Sequence, residues 1–235
     1  MPFFAPEEYR AGELLLRSLR PGDGGELNRA TVSSYEHLRE FMDWARPDIS
    51  VQESEEYARQ SRARWLLGEE WSLGVWRGER LVAGSGFMLR DRPLAQGTLE
   101  IGMWVRVDEA GRGLGTRLLR AMVDWADAEW PVHKLTWYCD SRNLASARVA
   151  EKCGFQLEGR LREQVPALVG PGRLTTLLFG LVRGDPPALA PRSLRPAAVS
   201  WRGRGGGRIR PRRRGRRGRG RRRWSGRRPP GPRGG

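Results

Sequence analysis

The chain is 235 residues long with a formal net charge of +16, but residues 201–235 hold 16 Arg and no acidic residue, leaving 27 of the 43 basic side chains to balance all 27 acidic ones. A neutral domain with a basic tail argues against a fold built around a nucleic-acid surface, and it asks for separate explanations of domain and tail. No run approaches the roughly 20 apolar residues of a membrane span, no secretory pattern opens the chain, and two Cys with two His support neither a disulfide framework nor a metal centre, so a cytoplasmic, metal-free protein with two buried thiols is expected.

Glu13 to Leu19 is a short apolar run stopped by Pro21-Gly-Asp-Gly-Gly25, which predicts a first strand and a turn. Two helices are expected next. Tyr35, Leu38, Phe41 and Met42 recur at helical spacing ahead of Pro47. Ser50, with Glu53 three residues later, has the spacing of a capping box, and Tyr57, Trp65 and Leu66 would form the buried face before Gly68. Trp71–Trp76 and Leu81–Leu89 flank a short polar turn and read as a hairpin. Leu99–Val107 predicts another strand, Asp108–Gly115 a glycine-rich turn, and Thr116 the start of an amphipathic helix bearing Leu118, Leu119, Met122, Val123 and Trp125 on or near one face. Lys134–Cys139 then predicts a strand parallel to the preceding one. A short helix over Ser146–Cys153 and an antiparallel pair, Phe155–Leu161 and Thr175–Val182, complete the domain.

The sum is an α/β (α+β) domain over residues 1–184, with a mixed, mostly antiparallel central sheet flanked by helices and one central βαβ unit. Asp185-Pro-Pro opens a Pro/Ala/Ser-rich linker over 185–200. Residues 201–235 offer almost nothing apolar to bury, which predicts a disordered Arg/Gly-rich tail.

The glycine-rich turn carries the chemistry. A glycine loop entering a helix exposes unpaired N–H groups at the positive end of the helix dipole, so phosphate is its natural ligand. Gly113 and Gly115 would let phosphates approach the backbone, and Arg112 would add charge; the plainer alternative is that the glycines only shape a tight turn. The sequence lacks the Gly-Lys-Ser/Thr ending of a P-loop, and a dinucleotide fingerprint would need glycine at Leu118.

Three segments in order, Glu100-Ile-Gly-Met-Trp-Val105, Gly111-Arg-Gly-Leu-Gly-Thr116 and Asn143-Leu-Ala-Ser-Ala-Arg-Val-Ala-Glu-Lys-Cys-Gly-Phe155, resemble the GNAT superfamily of acetyltransferases, and within it the Rim-type ribosomal-protein N-terminal acetyltransferases. The resemblance spans roughly Glu13 to Val182. It implies acetyl-coenzyme A as cosubstrate, with Arg112, Gly113, Leu114, Gly115 and Thr116 cradling its pyrophosphate, Val105 and Val107 holding the pantetheine arm by their backbone, and Asn143 bonding that arm. It also implies Glu100 as the base that takes a proton from the acceptor amine, its pKa raised by burial, and Ser146 as the proton donor to the departing thiolate. Ala110 departs from the family pattern, which favours Gln or Arg three residues before Gly113. Asn143 and Ser146 also read as helix-start residues, and Glu100 as a residue on the wet face of a sheet.

The amine-bearing acceptor implied by the resemblance is a ribosomal-protein N-terminus, for a monomeric or homodimeric enzyme. Trp44, Trp65 and Trp104 are aromatic candidates for an acceptor groove, although aromatics on such elements more often belong to a core. A small-molecule amine acetyltransferase is one alternative. Another is an RNA- or ribosome-binding protein whose acyl-CoA-binding domain does not turn over, contacting phosphates through the tail arginines.

Overall fold

A computed structural model describes residues 3–90 and 92–185. The predicted linker, apart from Asp185, and the predicted tail lie outside the described residues.

Two short strands, β1 (Glu8–Ala11) and β2 (Leu14–Ser18), form a hairpin around Gly12. Only β2 is expected from the apolar run. The glycine-rich stretch after it does not end as a turn, because Gly24 begins helix α1 (Gly24–Ser33). Two glycines at a helix start are poor local signals, and a distant residue compensates: the Glu55 carboxylate accepts the Gly22 and Gly24 N–H groups at 2.9 and 3.1 Å. Gly24 is also a steric requirement, since a Cβ there would lie 2.5 Å from the Glu55 Cα. The segment expected to be the first helix holds only the single turn α2 (Tyr35–Leu38).

Helix α3 (Val51–Leu67) starts as predicted, with the Ser50 hydroxyl accepting the Glu53 N–H and the Glu53 carboxylate accepting the Ser50 N–H. Its buried face differs from expectation. Ser54, Ala58, Ser61 and Trp65 form the inward stripe, while Tyr57 and Leu66 are exposed. Small side chains at the first three of these positions allow α1 and α3 to approach closely, so the stripe is not marked by apolar bulk.

Strands β3 (Trp71–Arg77), β4 (Arg80–Met88) and β5 (Thr98–Val105) form an antiparallel meander. A 3₁₀ turn over Val107–Glu109 and a glycine loop lead into α4 (Leu114–Glu129), which returns to β6 (Lys134–Asp140), parallel to β5. Helix α5 (Leu144–Lys152) and the antiparallel pair β7 (Gln156–Pro166) and β8 (Arg173–Val182) follow. Among the described residues eight strands lie in the order β1-β2-β3-β4-β5-β6-β8-β7, with β5–β6 the one parallel neighbour pair. This is the mixed, mostly antiparallel sheet with a central βαβ unit that the sequence predicts.

The apolar residues form two clusters. Phe87, Leu99 and Ile101 of the sheet pack with Leu114, Leu118, Leu119, Met122 and Trp125 of α4 and Ala147 and Ala150 of α5. Trp76 and Leu81 pack with Leu27 and Ala30 of α1 and Ala58 of α3. Burying each large aliphatic side chain stabilises the fold by about 1.5–3 kcal/mol before the entropy of ordering is counted. The larger cluster continues under β6 to Trp137 and Cys139, and Met103 and Val105 of β5 pack against its edge.

Candidate active site

The central feature is a fork in the sheet. β5 and β6 pair only over Thr98–Glu100 and Lys134–Thr136, although β5 continues to Val105 and β6 to Asp140. Beyond Glu100 one edge of β5 therefore lacks a strand partner. Arg106 N–H bonds back to Val82 O on β4 at 3.0 Å, so by strand alternation Val105 and Met103 turn their own N–H and C=O groups toward the open side. Val105 is among the expected residues and Met103 is not, because an unpaired strand edge leaves no mark on residue type. Val107, expected on the same edge, lies beyond the strand in the 3₁₀ turn. Its N–H is given to Ser34 Oγ at 3.1 Å and its carbonyl accepts Ala110 N–H.

The glycine loop opens beside this edge. Gly111 and Gly113 have φ of 72° and 79°, in the left-handed region that glycine adopts without strain, and a Cβ on either would meet nothing within 4 Å. α4 begins at Leu114, two residues before the predicted Thr116, and no side chain caps it. The N–H groups of its first turn are thus available to an anion. The five loop candidates separate by role. Arg112, Gly113 and Thr116 have exposed or half-exposed positions, Gly115 packs near Val149 and Val105, and the Leu114 side chain is buried in the core. Leu114 can therefore contribute to a phosphate cradle only through its backbone.

The loop is held from below by a residue the sequence reading overlooks. Glu109 is buried and accepts one hydrogen bond each from Arg77 and Arg80, both at 2.9 Å, which ties the start of the loop to the β3–β4 hairpin. An acidic residue in a loop usually reads as a solvated charge, and its partners lie about 30 residues earlier in sequence.

On the other wall, Asn143 is the N-cap of α5. Its Oδ1 accepts the Ser146 N–H at 3.0 Å, so Ser146 is the third helical residue and not the cap. Ser146 Oγ instead accepts the Trp137 indole N–H at 3.1 Å. Cys139, two residues along β6, has its thiol pushed up to about 11, chiefly by burial, with a hydrogen bond from Ser146 acting in the opposite direction. Cys153 is also raised to about 11 by burial. Both cysteines are free thiols; Cys139 is buried as expected, whereas Cys153 is only half-buried.

Glu100 sits at the fork itself, 5 % exposed, opposite Thr136. Arg90 forks its carboxylate, with Nη2 at 2.8 Å from Oε1 and Nε against Oε2, and the Arg90 guanidinium also lies over the Tyr138 ring. Among the aromatic candidates, Trp44 and Trp104 touch at a centroid distance of 5.9 Å, whereas Trp65 is core. A separate hollow of about 430 Å³, lined by Arg120, Asp124, His133, Cys153 and Arg183 among others, lies along the second half of α4 and includes none of these site residues. Among the described residues no group of three or more His, Cys, Asp or Glu is placed to hold a metal ion, and no helix is long and apolar enough to cross a membrane.

The model of the acetyltransferase (GNAT) domain family matches residues 13–156. An L-methionine sulfoximine/L-methionine sulfone acetyltransferase of Pseudomonas aeruginosa is 34% identical over 98 residues, covering 41% of this chain and 54% of the relative. The chain thus spans about half the length of the curated relatives it matches. By fold it is similar to the Microcin C7 self-immunity acetyltransferase MccE, solved with acetyl-CoA and AMP, at a TM-score of 0.66 and 18% identity over 73% of this chain and 93% of that one. It is also similar to RimL, a ribosomal L7/L12 alpha-N-protein acetyltransferase solved with coenzyme A, at a TM-score of 0.66 and 16% identity over 73% and 95% of the two chains.

Proposed function

The chain belongs to the GNAT acetyltransferase family, and from that premise we propose that it transfers an acetyl group from acetyl-coenzyme A to the α-amine of an acceptor by direct attack in a ternary complex. The observation that carries this reading is the fork after Glu100 and Thr136, with a glycine loop and an uncapped helix beside it. These features supply two kinds of hydrogen-bond donor in one opening: helix N–H groups for the pyrophosphate, and the Met103 and Val105 strand edge for the pantetheine arm. Arg112 adds charge at the rim. With Asn143 Oδ1 engaged as a cap, a bond from Asn143 to the arm falls to its amide nitrogen.

An amine is mostly protonated at neutral pH and must lose a proton before it attacks. Glu100 is the acid–base candidate at the fork. Arg90 occupies one direction on each carboxylate oxygen, and the remaining lone pairs can receive the amine proton directly or through a water. A strand-edge N–H polarises the thioester carbonyl. As the N–C bond forms and the C–S bond breaks, the Ser146 hydroxyl gives its proton to the sulfur and regains one from solvent. No cysteine nucleophile is needed.

The acceptor we favour is a protein N-terminal α-amine, in line with the likeness of the fold to RimL. A free α-amino acid is a second reading, favoured by the higher identity to the methionine sulfone acetyltransferase. The domain boundary near 184 and the arginine-rich tail as an RNA contact belong to the same proposal. Two measurements on the full chain and on residues 1–184 test it: kcat/KM for a short peptide and for the corresponding free amino acid, and RNA binding across a salt series. Peptide preference in both proteins is expected, with RNA binding that needs the tail and fades as salt rises. A preference for the free amino acid selects the second reading, and no turnover of either amine removes the enzyme assignment.

A further inference from the structure

Seven described tryptophans are partly or fully buried across the two apolar clusters, and their indole N–H groups are treated unequally. Trp65, Trp71, Trp76, Trp125 and Trp130 are buried with no hydrogen-bond partner for Nε1. Trp137 is equally buried, yet its Nε1 reaches Ser146 Oγ at 3.1 Å. The apolar core therefore tolerates unpaired indoles, and the pairing at Trp137 is a local arrangement that core packing alone does not require.

An indole N–H is a donor only, whereas a serine hydroxyl has one proton to give and two lone pairs to receive. Trp137 fills an acceptor site on Oγ, so the Ser146 proton must point elsewhere. The Ser146 backbone is fixed as well, because its N–H is held by the Asn143 cap. Around the hydroxyl the remaining polar neighbour on β6 is the Cys139 thiol, whose pKa near 11 keeps it protonated at neutral pH and a weak acceptor. Val149, three residues after Ser146 on α5, lies next to Gly115, so this stretch of α5 packs against the start of α4.

We propose that Trp137 is a positioning residue for acetyl transfer: its indole N–H orients the Ser146 hydroxyl so that its proton is presented to the sulfur of the departing coenzyme A. This rests on the reading of Ser146 as the proton donor. Trp137 touches no reacting atom and acts through Ser146.

The test is a double-mutant cycle on the full chain with a short peptide acceptor, combining Trp137→Phe and Ser146→Ala, with Trp125→Phe as the control for losing an indole from the same core cluster. Loss of one neutral hydrogen bond in the transition state corresponds to about fivefold to tenfold in kcat. Trp137→Phe is expected to lower kcat by about that factor with KM for acetyl-CoA within about twofold, and Trp125→Phe to leave kcat within about twofold. On the Ser146→Ala background, Trp137→Phe should cost nothing further. An indole N–H resonance that moves upfield in ¹⁵N-tryptophan-labelled Ser146→Ala protein supports the contact without relying on the folding of a Trp137 variant. Unchanged kcat in Trp137→Phe, multiplicative losses in the double variant, or no shifted indole resonance overturns the positioning role. Unchanged kcat in Ser146→Ala is a separate outcome, which removes the proton-donor reading on which the inference stands.

Discussion

The two walls of the fork differ in what they present to the opening between them. The β5–α4 wall works through main chain: the Met103 and Val105 edge, the N–H groups at the start of α4, and glycines whose conformation keeps the loop open. Its side chains mostly point away, Leu114 into the core and Glu109 into a clasp of two arginines. The β6–α5 wall works through side chains, with Trp137, Asn143 and Ser146 linked by hydrogen bonds. A backbone wall tolerates changes of residue type until φ is disturbed, whereas a side-chain wall is sensitive to single atoms.

Glu100, where the walls meet, should show the largest effect. Glu100→Gln retains the size and one acceptor oxygen for Arg90 but cannot take a proton, and kcat is expected to fall by about 100-fold or more. The loss should be greatest at low pH, where more of the amine is protonated and proton removal is most demanding. Acetyl-CoA affinity, measured by titration calorimetry, should stay within about twofold. A pH–rate profile that keeps its shape in the variant would assign Glu100 to the sheet and move the base elsewhere.

The backbone wall predicts a sharper contrast between two neighbouring glycines. Gly113 sits at φ 79°, where an L-residue is strained by roughly 1–2 kcal/mol, so Gly113→Ala should raise KM for acetyl-CoA about tenfold while kcat at saturation changes little. Gly115 has ordinary helical geometry, and an added Cβ would meet Val149 at 3.5 Å, a normal contact. Gly115→Ala should therefore leave the thermal midpoint within a few degrees. A raised KM without a lowered midpoint then reports a ligand passing over that residue. Equal, small effects at both positions would mean that the loop does not hold the phosphates.

The two walls were not equally legible in sequence. Glycine spacing announces the loop, and the apolar spacing of Leu118, Leu119, Met122 and Trp125 announces the helix behind it, because φ and burial leave marks on residue type. The strand edge at Met103 left none. Nor did the role of Trp137, which reads as one more core aromatic until Ser146 is seen beside it. Helix α1 was missed for a related reason: its Gly-Gly start opposes helix propensity, and the stabilising carboxylate of Glu55 lies on another helix. The capping box at Ser50 and Glu53 was legible because donor and acceptor lie three residues apart. Features closed within one turn of chain can be read locally, while those closed across the sheet cannot.

The smallest effect at working pH belongs to the thiols, which separate the walls by chemistry and not by rate. Cys139 lies on the side-chain wall and Cys153 beyond the end of α5, both with pKa pushed up to about 11 by burial. Both should therefore be slow to alkylate near pH 7.5, since the thiolate is the reactive form, and replacing either by Ala should change kcat by less than about twofold. Their influence emerges in alkali. A thiol whose folded pKa is raised above its ordinary value near 9 contributes stability that is fully present below that value. As pH rises from about 9 toward 11 the unfolded chain loses the proton while the folded one retains it, so stability declines across that window. The thermal midpoint should fall between pH 9 and 11, and the Cys139→Ala/Cys153→Ala pair should fall less steeply from whatever midpoint it has at pH 8. Parallel curves for the two proteins would show that the thiols ionise alike in the folded and unfolded states, and rapid alkylation of Cys139 at neutral pH would show that the side-chain wall stands open to solvent at the sulfur.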